Sequence, residues 1–140
     1  MTTTTLPQHH ARARADYLNI TLWTFQGWIS MFFIAAGYAK LTESMENLIV
    51  LMQWPALTGE AVVRGVGVVE IALAVLILAP VISWKIGRLP VLIAAAGLLV
   101  LEIAALGFHA VSLNLGLSLT NVFLIAITAP VLWLRRNRQL

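Results

Sequence analysis

Uncharged apolar runs of membrane-spanning length constrain this chain more than any other feature. Tyr17 to Ala39 holds no charged residue, and neither does the whole stretch from Ile103 to Leu134. A helix needs roughly 20 apolar residues to cross about 30 Å of hydrocarbon. In lipid only helices and closed barrels satisfy their own backbone groups. Four spans fit: 17–39, 61–80, 89–108 and 116–134. The uncharged stretch after Ile103 is too long for one crossing. His109, Ser112, Asn114 and Gly116 form a polar break inside it, so it reads as two helices and a short turn. The chain is 60% hydrophobic and 11% charged, with a mean hydropathy of +0.89. Nine basic and six acidic side chains cannot cover a water-facing surface. A soluble enzyme, a disordered chain and a disulfide scaffold are excluded. With no cysteine there is no disulfide, thiolate metal site, iron–sulfur cluster or dithiol chemistry.

The sequence pI of about 10.0 does not indicate a nucleic-acid partner. The basic residues are scattered between apolar blocks and form no stripe. With four spans, Arg12, Arg14, Lys85, Arg88, Arg135, Arg136 and Arg138 all fall on one side. Only Lys40 and Arg64 fall on the other. The positive-inside rule then puts both termini in the cytoplasm. The first span is too long for a signal-peptide core and no cleavage pattern follows it. Residues 1–16 read as a disordered cytoplasmic tail and 135–140 as a basic cytoplasmic one. Pro80 is expected to close the second helix and Pro90 to open the third. Pro130 should kink or shorten the fourth. The outer loop between helices one and two mixes Leu48, Ile49, Leu51, Met52 and Trp54 with Glu43, Glu46 and Asn47. A short amphipathic helix on the membrane surface is expected there, stopped by Pro55. Trp54, Trp84 and Trp133 fall at the expected interfaces.

Each span carries a polar or small stripe at helical spacing. The first runs Gln26, Ser30, Phe33, Gly37, Lys40, and the second Val63, Gly67, Glu70, Ala74. The third is Ala95, Glu102, Ala105, His109, and the fourth Asn114, Ser118, Asn121, Thr128. Residues three, four and seven apart share a face, and polar groups avoid lipid by facing the interior. An all-α integral membrane four-helix bundle is the economical architecture.

A carboxylate at mid-span costs several kcal/mol, so it is paired, protonated or beside water. Glu102 lies seven residues from His109, about 10 Å at the usual rise. Glu70 lies nine residues inside its helix, about 13 Å deep. The two carboxyls thus share a depth in the outer half, with Lys40, Arg64 and His109 nearer the boundary. This implies an outward-opening polar pocket with a cationic rim and an acidic floor. Glu70, Lys40 and His109 are the candidate catalytic groups. Glu102, Arg64, Gln26 and Asn121 are candidate ligand contacts. Each has a structural alternative. Lys40 can snorkel or lock to a glutamate, Glu102 can pair with His109 or another subunit, and Arg64 can pair with Glu60. The Gln26 and Asn121 amides can serve as helix–helix glue. A bis-histidine haem site and a di-metal carboxylate site both need more ligands than the spans supply, so no metal is expected.

Ala36-Gly37-Tyr38-Ala39-Lys40-Leu41 resembles the A-G-x-x-K-L signature of the DoxX-like membrane proteins. The stretch from Gly65 through Gly67, Glu70, Ile71, Ala74 and Leu78 to Pro80 is similar to that family's second helix. Trp54-Pro55 and the Ala105-to-His109 end of the third span also fit. The resemblance covers about residues 20 to 134. It implies a small four-helix bacterial inner-membrane protein. Some members are subunits of thiosulfate:quinone oxidoreductase and others associate with oxidative-stress enzymes. Lys40, Glu70 and His109 match the family pattern; Glu102 does not.

The expected function is a membrane subunit or accessory of a quinone-linked oxidoreductase system. The pocket would take a quinone as its one cofactor, with none bound covalently, and electrons would come from a partner or from a bound molecule. The alternative is a non-catalytic structural or assembly subunit of a larger membrane complex. Partners on either reading are the lipid bilayer and other membrane or membrane-associated subunits. A small transporter is disfavoured, because four helices lack the broken-helix repeats such proteins use.

Overall fold

The structure is a computed structural model and describes residues 6–137. It is all-α, with five helices: α1 (Leu6–Thr42), α2 (Met45–Met52), α3 (Glu60–Leu76), α4 (Trp84–Val111) and α5 (Leu115–Asn137). Single 3-10 turns at Trp54–Leu57 and Ala79–Val81 join α2 to α3 and α3 to α4. Four helices are long and apolar enough to cross a membrane. They form a ring in which α1 packs on α3, α3 on α4, α4 on α5 and α5 on α1.

The core is a seam of Leu22, Ile29, Phe33, Ala74, Ile77, Ala95, Leu98, Leu124 and Val131. The outer faces are apolar too: Ile20, Trp28, Val68, Val100, Ile103, Leu119 and Phe123 are bare. A helix that is hydrophobic all round belongs in lipid. The short α2 forms where the loop pattern predicts it, with Ser44 Oγ accepting the Asn47 N–H at its start. Gln53 ends it in the left-handed region at φ 65°, and the turn carrying Pro55 follows.

Close approach of α1 and α3 depends on two glycines. A Cβ on Gly37 would sit 2.6 Å from the Gly67 carbonyl oxygen, and one on Gly67 would sit 2.9 Å from that of Gly37. Small residues at such crossings let backbones meet. Each helix also finishes the other's end. The last carbonyls of a helix have no partner within it. Ser30 and Gln26 of α1 donate to the carbonyls of Ala74 and Ile77, at the end of α3, at 2.8 and 2.6 Å. Arg64 of α3 donates to the carbonyls of Lys40 and Glu43 at the end of α1.

Several boundaries differ from expectation. Helix α1 begins at Leu6, not at Tyr17. Residues 11–15 alternate Ala and Arg, both strong helix formers, and propagate a helix well once Pro7 stands in its first turn. Thr2 to Thr5 and Arg138 lie outside the described residues. Pro90 stands inside α4 and Pro130 inside α5, and both helices continue. One missing backbone bond costs less than ending a helix in hydrocarbon, where a whole turn of polar groups would be unsatisfied. α3 ends at Leu76, and Pro80 stands in the 3-10 turn beyond it. At the far end α5 runs through Leu134 to Asn137, so the first residues of the expected basic tail are helical.

Candidate functional site

Lys40 is the last interior residue of the α1 stripe and Glu70 the third on α3. The Gly37–Gly67 contact, one turn before Lys40 and one turn before Glu70, sets the two helices close enough for them to meet. Lys40 Nζ donates to both Glu70 carboxylate oxygens, at 2.9 and 2.8 Å. Lys40 is 4% exposed and Glu70 6%. A buried ion pair holds together only when both charges are well bonded, and removing one partner strands the other.

Beside this pair, between α3 and α4, lies a cavity of about 300 Å³. Val66 and Glu70 come from α3, and Leu101, Ala105 and Phe108 from α4. The turn after α2 borders it with Trp54, Leu57 and Thr58. Glu70 is the ionisable group in this wall. The expected cationic rim does not surround it. Lys40 is turned to Glu70, and Arg64 is spent on the α1 carbonyls and on Glu60, at 3.2 and 2.9 Å. Glu102 and His109 lie on the adjacent, inward face of α4, while Leu101, Ala105 and Phe108 face the cavity.

Glu102 therefore does not pair with His109. Its Oε1 accepts the Thr128 hydroxyl of α5 at 2.8 Å. Its Oε2 and the Nδ1 of His109 have no hydrogen-bond partner among the described residues. His109 packs edge-on to Phe108, with ring centroids 5.3 Å apart. The Asn121 amide donates to Leu117 on its own helix at 2.8 Å and is only half-buried.

Arg135 differs most from the sequence reading. It is fully buried. Its Nε and one terminal nitrogen donate to Gln26 Oε1 at 3.0 and 2.8 Å, and the other donates to Asn19 Oδ1 at 2.8 Å. The guanidinium carbon lies 5.2 Å from the Trp23 ring centroid and 4.6 Å from that of Trp84. Gln26 thus serves as glue between α1, α3 and α5. A signal for Arg135 existed. It extends the α5 stripe by seven residues from Thr128, as Asn19 extends that of α1 by seven from Gln26.

A sequence model described as the DoxX-like family matches residues 24–131, most of the chain. No curated protein sequence and no solved structure matches it.

Proposed function

Because the chain belongs to the DoxX-like family, we propose that it is a membrane subunit or accessory of a quinone-linked oxidoreductase. One observation carries the reading: Glu70, held from behind by Lys40, is the ionisable group in the wall of a cavity whose other lining is apolar and aromatic apart from Thr58. About 300 Å³ accepts one ring-sized head group. Trp54 and Phe108 supply aromatic lining for a flat ring, and Glu70, with Thr58, supplies the polar groups that fix its orientation. A bound quinone would supply two-electron, two-proton carrier chemistry. Glu70 holds or passes a proton at its carboxyl, and Lys40 keeps that carboxyl in place. The protein sits in a bacterial inner membrane with both termini cytoplasmic, as the distribution of basic residues favours.

The test is binding of a short-chain quinone analogue to purified protein in nanodiscs, followed by calorimetry. Saturable binding that weakens about tenfold in Glu70→Gln, with unchanged helicity, supports the reading. Equal binding by that variant and by the cavity-filling Ala104→Phe overturns it.

A second reading has one observation of its own: both Glu70 oxygens are taken by Lys40, so the pair can serve as a helix lock alone. The protein is then an assembly subunit. On that reading the exchanged pair Lys40→Glu with Glu70→Lys retains the complex recovered by mild-detergent purification from the host, and retains its activity. On the first reading the complex survives and the activity is lost.

A further inference from the structure

The end of the bundle remote from Glu70 carries a different arrangement. Arg88 of α4 donates to the Arg136 carbonyl of α5 at 3.0 Å, which puts the start of α4 level with the end of α5. Lys85, Arg88 and Arg136 are exposed on this rim. Arg136 lies over the exposed Trp133 ring at 5.6 Å. Just behind them Arg135 adds a fully buried charge. Its acceptors are the neutral amides of Gln26 and Asn19, and among the described residues no carboxylate reaches it. Charge in an apolar surrounding is weakly screened, so among the described residues the rim is net positive, with Asp16, one turn before Asn19, the acid at this end. Next to the cations stand bare apolar side chains, Ile86 at 74% and Leu89 at 66% exposure.

We propose that this rim binds an anionic phospholipid, with its phosphate between Lys85, Arg88 and Arg136 and its acyl chains along Ile86 and Leu89. Charge complementarity selects the anion, and the adjoining apolar face selects a lipid over a free phosphate. Basic pockets between membrane helices take such head groups. Arg135, closed in by its two indoles, contributes field rather than contact. The proposal is independent of any ligand in the Glu70 cavity.

Native mass spectrometry from micelles holding equimolar phosphatidylglycerol and phosphatidylcholine tests it. The protein should retain phosphatidylglycerol several-fold over phosphatidylcholine. Each basic side chain removed should lower the preference, by at most the roughly fivefold that one such residue is worth beside anionic lipid. Lys85→Gln/Arg88→Gln/Arg136→Gln should therefore show none. Arg88 makes a hydrogen bond between helices, so Lys85→Gln/Arg136→Gln, which removes no side-chain hydrogen bond, guards against misfolding and should show most of the loss. Inorganic phosphate at millimolar concentration should not displace the lipid. Equal retention of both lipids, an unchanged preference in the double variant, or displacement by phosphate would each overturn the proposal.

Discussion

Both ends of this bundle bury a cation, and they satisfy it in opposite ways. Lys40 meets a carboxylate, and the pair borders a cavity. Arg135 meets two neutral amides and two indole rings, and a wall of packed side chains surrounds it. A lysine–glutamate pair can exchange a proton or give up a partner to a ligand, because both members change charge within reach of ordinary chemistry. A guanidinium stays charged and its planar fork fixes geometry. On the proposed reading the first end responds to a ligand, while the second holds α1, α4 and α5 together.

That contrast can be broken by substitution. The largest effect is expected at the pair: Glu70→Ala or Lys40→Ala strands a buried charge and should lower unfolding free energy by about 3–5 kcal/mol. The double variant Lys40→Met/Glu70→Leu should lose less than either single one. Denaturation in mixed micelles measures all three. Arg135→Met should come next, at about 2–3 kcal/mol, from its charge-assisted bonds and ring contacts. Arg135→Lys should not rescue it, because one ammonium cannot span Gln26 and Asn19 while lying between two rings; if it does, the clamp is only a charge. Gly37→Ala forces a methyl against the Gly67 carbonyl and should cost about 1–3 kcal/mol. The same change should draw Lys40 away from Glu70, visible as a longer distance between spin labels on α1 and α3. The smallest effect belongs to Glu60→Ala, whose exposed partner bond with Arg64 is worth at most about 0.5 kcal/mol. Arg64 keeps its contacts to the α1 carbonyls in that variant, so a large loss would mean that the surface pair orders the helix ends.

The spans were legible because lipid as solvent demands long uncharged helices, and their interior faces were legible from spacing alone. Lys40 and Glu70 each sit on such a face in the same half of the bundle, so their meeting follows from the register of two neighbouring helices. Glu102 shows the limit. Spacing puts it on the same face as His109, but its partner is set by how α5 rotates, and Thr128 arrives there instead. Arg135 was masked by its context. A run of basic residues after an apolar span reads as a water-facing stop, and only Trp23, Trp84, Asn19 and Gln26 arriving from other helices bury it. Pro90 misled for a related reason: it reads as the opening of a helix, while here α4 starts at Trp84 and continues through it, the cheaper outcome. The cavity beside Glu70 was expected to be polar. Its walls are apolar because the cations near it are already bonded to Glu70 and to helix ends.

Photolabelling with a short-chain azidoquinone in native membranes tests the proposed site most directly. The account predicts label on the peptides carrying Trp54 to Thr58 and Leu101 to Phe108, reduced by excess unlabelled quinone and lost in Glu70→Gln. Label confined to other helices, or none above that seen with Glu70→Gln, would contradict it.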